Sequence, residues 1–198
     1  MSKATVEEHA FGLSWVMDEP MTRTSHALLD GGRVWLIDPV DEPEAMARVR
    51  ELGEPQAVLQ LLDRHNRDCE SVAGRLGVPH LRIPREVPDS PFLPTTLMQR
   101  KRWREVALWW PERSALVVAE AVGTAPLFAV GPGPVGVHPV LRLTPPRELR
   151  AFHPEHLLVG HGPSVSGPGT SAELEQALAR SRRDIPRVLL KLPSLRPR

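Results

Sequence analysis

Short buried strands and helices alternate between residues 33 and 83, and this alternation limits the folds open to the chain. Val34-Trp35-Leu36-Ile37 is continuously apolar, which is typical of a strand buried on both faces. Asp41 is the expected N-cap of the next helix, Pro43 lies in its first turn and Gly53 ends it. The elements are, in order, a strand at 33–38, a helix at 41–53, a strand at 57–62, a helix at Cys69–Leu76 ended by Gly77, and a strand at 80–83. This order predicts an α/β layer.

Strand patterns dominate on either side of this layer. Residues 11–17 alternate with period two like an edge strand, and Asp30-Gly31-Gly32 predicts a hairpin turn. The further elements predicted are strands at 25–29, 95–98, 104–110, 115–119 and 156–160, a short helix opened by Pro145-Pro146, a helix at 172–183, and loops at 84–101 and 123–139. Thr170 and Glu173 form a capping-box pair before the last helix.

Composition limits the class of protein. The chain of 198 residues predicts a single domain, 1–198, with a core at about 11–185 and a solvated basic tail at 186–198. A net charge of +1 argues against nucleic acid and anionic membranes as partners. The single cysteine and the lack of a long apolar run predict a cytoplasmic protein. Neither GxGxxG nor GxxxxGK[ST] occurs, which argues against the common nucleotide-binding sites.

Polar residues that could carry chemistry follow three of the predicted strands. Asp63, His65 and Asp68 follow the strand at 57–62, Glu120 follows the strand at 115–119, and His161 lies between two glycines after the strand at 156–160. Imidazole and carboxylate are the ligands of zinc, iron and manganese. Each cluster also has an alternative interpretation: Asp68 could cap the helix that follows it, Glu120 could be a surface carboxylate, and His161 could be a non-catalytic histidine.

The order of these clusters resembles the metallo-β-lactamase superfamily. In that family the first loop reads HxHxDH, a later strand ends in a Gly-Asp pair and a late strand ends in Gly-His. Three further segments are similar to family motifs: Leu36-Ile37-Asp38-Pro39, residues 110–120 and residues 154–163. The resemblance covers about residues 11–185 and implies an α/β fold, a four-layer αββα sandwich of the metallo-β-lactamase type.

The metal-binding motif departs from the family and is degenerate. Aligned without a gap, His65 and His161 match family histidines, but Arg67 stands at the position of the family's Asp, which is both ligand and base. Asp63 and Asp68 then stand at histidine positions, Glu120 stands at the bridging Asp, and no histidine occurs in residues 81–137. A shift of one residue instead places Asp68 on the Asp position and Cys69 on the last histidine.

Two functional hypotheses follow. The expected ligands are Asp63, His65, Asp68, Glu120 and His161, with Asp68 as ligand, catalytic base or helix cap. These residues are expected to bind one zinc, iron or manganese ion. The alternative is that the site binds no metal. The first hypothesis is a non-enzymatic or weakly active protein that binds an unknown small molecule. The second is a mononuclear metal-dependent hydrolase of an ester, amide or phosphoester.

Other residues are expected to have structural roles. His138 and His153 stand beside prolines and are expected at the surface. Trp109 and Trp110 point to opposite faces of one strand, so one is core and the other, with Trp103, is a hypothetical homodimer contact.

Overall fold

The computed structural model describes residues 3–191, and these residues form two main β-sheets. The strands are β1 (Ala4–His9), β2 (Gly12–Met17), β3 (Thr24–Asp30), β4 (Arg33–Ile37), β5 (Glu54–Gln60), β6 (His80–Arg82), β7 (Leu93–Arg100), β8 (Trp103–Trp110), β9 (Ala115–Val118), β10 (Val122–Gly123), β11 (Gly136–Val137), β12 (His156–Val159) and β13 (Val165–Ser166). The helices are α1 (Pro43–Leu52), α2 (Cys69–Leu76), α3 (Thr170–Arg180) and α4 (Ile185–Lys191). Three short 3₁₀ segments occur at Pro111–Arg113, Pro139–Leu141 and Arg147–Ala151.

The first sheet contains β1 to β6 in sequence order. Strands β1 to β4 are antiparallel, whereas β4, β5 and β6 run parallel because α1 and α2 provide the crossover connections. The second sheet has the order β13-β12-β9-β8-β7, in which β9 and β12 are parallel neighbours. Strands β10 and β11 form a separate pair.

The packing of β4 shows how the layers are arranged. Trp35 and Ile37 lie in the apolar cluster between the two sheets, whereas Val34 and Leu36 pack beneath α1 and α2. Burial of such a side chain stabilises the fold by about 1.5–3 kcal/mol. Leu174 of α3 joins the cluster that contains the second sheet. The layers are therefore helix, sheet, sheet and helix, and the predicted four-layer α/β sandwich is confirmed.

Several local predictions are confirmed and others are wrong. Helix α2 has the predicted bounds, and Gly77 ends it in the left-handed conformation at φ 70°. The edge of the first sheet is β1, so the prediction that residues 11–17 form an edge strand is wrong. Strand β1 was not predicted, because Ala4–His9 contains few apolar residues and therefore shows no strand pattern; the strand is half-exposed. Trp110 is buried, and Trp109 is less so.

The predicted helix caps differ from the observed ones. Glu42, not Asp41, caps α1, and its Oε2 accepts a hydrogen bond from the amide of Ala45 at 2.8 Å. Helix α3 begins at Thr170 with Gly169 at the N-cap, so the predicted capping box is wrong. Residues 186–191 of the predicted tail continue α4, and residues 192–198 lie outside the described part of the chain. Among the described residues, no helix is long and apolar enough to cross a membrane.

Candidate metal centre

Three predicted ligands meet where three strands end. His65 lies in the loop after β5, Glu120 follows β9, and His161 follows β12. Strands β9 and β12 are parallel and in register from Ala115 to Val118, so their carboxyl ends place Glu120 and His161 side by side. One ligand atom from each of the three residues lies within 4.8 Å of the other two, and all three residues are buried. The structure therefore brings together one potential ligand from each predicted cluster.

Hydrogen bonds fix the orientation of both imidazole rings. His65 Nδ1 lies 3.1 Å from Oδ2 of Asp38, and His161 Nδ1 lies 2.8 Å from the carbonyl oxygen of Met21. Because both partners are acceptors, each Nδ1 carries the hydrogen and donates it. In a neutral imidazole the other nitrogen, Nε2, then has a free lone pair. Hydrogen bonding of this kind orients the histidine ligands of metals in proteins.

The two Nε2 atoms face each other at 3.4 Å. Two lone pairs at this distance repel unless a cation or a proton lies between them. Two nitrogens bound about 2.0–2.1 Å from a tetrahedral zinc ion are about 3.3–3.4 Å apart. The observed separation therefore fits a shared metal ion.

Both histidines are held in the neutral form. The pKa of His161 is lowered to about 4, mainly by burial and also by the nearby Arg67 cation. The pKa of His65 is lowered in the same way, first by burial and then by Arg67. A proton shared between the two rings is therefore disfavoured at neutral pH, and both nitrogens are available as ligands.

The third potential ligand, Glu120, is held by neighbouring side chains. Arg64 Nη2 donates to its Oε2 at 2.6 Å, and His138 Nε2 lies 3.6 Å from its Oε1. The Arg64 guanidinium also lies over the ring of Trp103, 3.9 Å from the centroid. Beneath them, the buried Glu105 accepts a 2.8 Å hydrogen bond from the amide of Glu120.

Arg67 anchors the loop that carries His65. Its guanidinium donates to the carbonyl oxygens of Thr24 at 2.5 Å, Asp38 at 2.8 Å and Gly160 at 2.9 Å. Thr24 begins β3 and Asp38 directly follows β4 in the first sheet, whereas Gly160 follows β12 of the second. Arg67 therefore links both sheets beside the candidate metal centre, and its own φ is positive at 38°.

Asp63 and Asp68 are directed away from the three clustered ligands. Asp63 Oδ2 accepts from Arg104 Nε at 3.4 Å. Asp68 Oδ2 accepts from the amide of Asp41 at 2.9 Å. Asp68 occupies the N-cap position of α2, but its side chain makes no capping hydrogen bond.

Cys69, the ligand in the shifted alignment, is also directed elsewhere. It is fully buried, its Sγ lies 3.7 Å from the carbonyl oxygen of His65, and burial raises the pKa of the thiol. The gap-free alignment, with Arg67 beside the site, agrees better with this arrangement.

The loop histidine His138 is closer to the site than its sequence context predicts. Its ring packs edge-on against Trp103 and Phe128, at centroid distances of 4.8 and 5.4 Å. Its side chain is 15% exposed and lies beside Glu120, so the expectation of a surface histidine is wrong for His138. The neighbouring prolines do not indicate that this loop folds back beside the segment after β9, where the amide of His138 donates to the carbonyl oxygen of Ala121.

Arginines near the cavity were also missed. An open cavity of about 300 Å³ lies beside the three clustered ligands. It is lined by these ligands and by Met21, Arg23, Arg64 and Arg67. Arg23 is brought there by pairing with His161 as an isolated antiparallel bridge, a tertiary contact without any sequence signal.

Comparison with known proteins identifies the fold. No protein-family model and no curated protein matches the chain. Among solved structures it is similar to the DIM-1 metallo-β-lactamase, with 10% identity, a TM-score of 0.62, and coverage of 91% of this chain and 98% of that one. A metallo-β-lactamase from Pontibacter korlensis is 12% identical with a TM-score of 0.58, covering 91% and 99%.

A third similar structure is the chemotaxis sensor ODP with a peroxy diiron species, which is 12% identical with a TM-score of 0.52, covering 88% and 94%. The chain therefore has the metallo-β-lactamase fold. At these identities the likeness extends to the fold alone.

Proposed function

We propose that this chain is a single-ion metalloprotein that hydrolyses an ester, amide or phosphoester slowly. The observation that carries the proposal is the pair of Nε2 atoms of His65 and His161, 3.4 Å apart and both oriented as acceptors. Glu120 supplies the carboxylate of a His-His-Glu ligand set. A bound zinc-type ion would supply Lewis acidity and lower the pKa of a coordinated water.

The residues of this chain support one ion rather than two. Arg67 lies where the related family has an acidic ligand, and its guanidinium is committed to three backbone carbonyls. A fixed cation there opposes a second dication. Asp63 and Asp68, the remaining carboxylates predicted as ligands, are bonded to other groups.

Slow rather than fast hydrolysis is expected from the lining of the cavity. Glu120 is the carboxylate among the lining residues, and one of its oxygens already accepts a hydrogen bond from Arg64. It is therefore poorly placed to act both as ligand and as base. No second carboxylate lines this cavity among residues 3–191 to act as a general base.

The alternative is a metal-free protein that binds a small molecule in the same cavity. The specific observation in its favour is charge balance. The side chains of Arg64 and Arg67 offset those of Asp38 and Glu120, so the cluster is close to neutral before any ion binds. A dication would then add uncompensated positive charge.

Elemental analysis of the full chain, purified without chelator or affinity nickel, distinguishes the two proposals. We expect close to one equivalent of zinc, iron or manganese, lost in His65→Ala and His161→Ala but kept in the exposed control His153→Ala. Less than about a tenth of an equivalent in the parent protein, including after dialysis against each metal, would overturn the metalloprotein proposal. Activity is then measured on p-nitrophenyl acetate and bis(p-nitrophenyl) phosphate.

A further inference from the structure

The side chains that line the cavity beside the candidate metal centre are mostly cationic, although the wider cluster around them is close to neutral. Among residues 3–191, the guanidiniums of Arg23, Arg64 and Arg67 and one carboxylate, that of Glu120, line it. The acidic neighbours of Arg23 and Arg67 are Glu19 and Asp38, which do not line the cavity, so more positive than negative groups face it. These guanidiniums face the cavity whether or not a metal ion is bound. A bound dication would add to this positive charge. Charged groups that face a small cavity together favour a ligand of opposite charge.

Two of the three guanidiniums are committed to the protein itself. Arg64 donates to Glu120 at 2.6 Å and to the carbonyl oxygen of Arg102 at 3.0 Å. Arg67 donates to three carbonyls, and its Nε is buried without a partner among the described residues. Arg64 and Arg67 therefore contribute mainly positive electrostatic potential to the cavity, because most of their N–H groups are already bonded within the protein.

Arg23 differs because it is both positioned and available. Its Nε and Nη2 donate to the two carboxylate oxygens of Glu19 at 2.5 and 2.8 Å, which hold the side chain in one orientation. These two bonds use Nε and Nη2, and no hydrogen bond of Nη1 is found within residues 3–191. The side chain is 36% exposed and lines the cavity. A guanidinium with a free edge and a fixed orientation suits a carboxylate or phosphate oxygen.

We infer that the cavity binds a small molecule through an anionic oxygen group, a phosphate or a carboxylate, with Arg23 as its binding residue. The volume of about 300 Å³ is at the lower end for ligand sites, so the ligand is small. The inference rests on the proposed function in placing this group beside the ion-binding residues. The charge argument holds with or without the ion.

The test is calorimetric titration of the full chain with inorganic phosphate and, separately, acetate. Each titration uses chelator-treated protein and protein reloaded with one equivalent of the ion found by elemental analysis. Arg23→Met is compared with Arg48→Met, because Arg48 is ion-paired to Glu8 and similarly exposed at 39% but lies on α1. Phosphate affinity is expected to fall about tenfold in Arg23→Met and to be unchanged in Arg48→Met.

The outcomes separate the inference from the proposed function. Absence of binding for both anions, or equal affinities in all three proteins, overturns the inference whatever the metal content. Arg23-dependent binding to a protein that holds no metal supports the inference and overturns the metalloprotein proposal. Binding of phosphate alone assigns a phosphate ligand, and binding of both anions assigns the wider oxyanion class.

Arg23→Lys covers the case in which Arg23→Met does not fold. It keeps the charge and loses the planar edge, so it is expected to retain the native melting temperature and to bind phosphate about threefold more weakly. An affinity equal to that of the parent protein would overturn the role of Arg23.

Discussion

Asp38 and His65 are joined by a 3.1 Å hydrogen bond between Oδ2 and Nδ1, and the other carboxylate oxygen of Asp38 accepts from the amide of Leu61 at 3.1 Å. The carboxylate therefore holds both the strand end and the imidazole that follows it. Asp38 adopts a positive φ of 44°, which directs its carbonyl oxygen to Arg67 and Ser25. The orientation of the candidate ligand depends on this one residue.

Asp38→Asn is expected to weaken zinc binding by about 10- to 100-fold. The single amide oxygen of Asn would accept from the backbone amide of Leu61, so the amide nitrogen would face Nδ1–H of His65. Two donors would then oppose each other. The ring would avoid this by taking the other tautomer, which carries its hydrogen on Nε2 and cannot bind a metal there. Zinc affinity is measured by competition with a chromophoric chelator. Asp41→Asn, at an exposed carboxylate paired with Arg75, is the control. An affinity within about threefold of the parent would contradict the role given to Asp38.

Arg67→Met is expected to reduce the free energy of unfolding by about 3–5 kcal/mol, because three buried carbonyl oxygens lose their charged donor. Urea denaturation of chelator-treated protein measures the loss. Arg75→Met removes an exposed ion pair instead and is expected to cost only about 0–1 kcal/mol. Similar losses in the two variants would show that Arg67 does not act as an anchor.

Stability is expected to fall steeply as the pH decreases from about 6.5 to about 4. Burial lowers the pKa of His26 to about 3 and those of His9, His138 and His161 to about 4, and it also lowers the pKa of His65. The unfolded chain binds protons at these groups near pH 6.5, whereas the native state does not. Their stabilisation is therefore present above pH 6.5 and is lost in acid.

Glu105 acts in the opposite direction but is a single group. Burial raises its pKa to about 7, so its contribution is present below the unfolded value of 4.5 and is lost as the pH rises towards 7. His26→Gln is expected to reduce the slope of unfolding free energy against pH by up to about 1.4 kcal/mol per pH unit, the value for one proton. His153→Gln, at an exposed site, should keep the parent slope. An unchanged slope in His26→Gln would contradict the assignment.

Gly160→Ala is expected to destabilise the protein by about 2 kcal/mol or more, because a Cβ would lie 2.1 Å from the carbonyl oxygen of Ala119. Gly74→Ala is the matched variant. Nothing lies within 4 Å of a Cβ at Gly74 in the last turn of α2, so alanine should stabilise the helix by about 0.5–1 kcal/mol. Thermal melts compare the two, and a destabilisation of similar size in both would exclude the steric cause.

Local signals explain what the sequence could predict. The bounds of α2 follow from residues near its two ends, and the continuous apolar run of β4 required burial on both faces. His65, Glu120 and His161 were predictable because ligands gather at the carboxyl ends of strands in α/β sheets.

Side-chain direction could not be predicted in the same way. Asp63 and Asp68 stand two and three residues from His65, yet the turn at Arg67 and the amide of Asp41 direct Asp68 elsewhere. His138 and Arg23 reach the site through contacts between segments distant in sequence. Such contacts leave no periodic pattern in the chain.

The bonds of Arg67 to both sheets also bear on how the cavity moves. Displacing the loop of His65 would break hydrogen bonds to Thr24, Asp38 and Gly160 together, so local opening of this loop is coupled to separation of the sheets. The amide of His65 is bonded to the carbonyl oxygen of Leu62, and its hydrogen exchange should follow global unfolding. Ligand binding then costs little additional conformational entropy at this site, because folding has already ordered the loop.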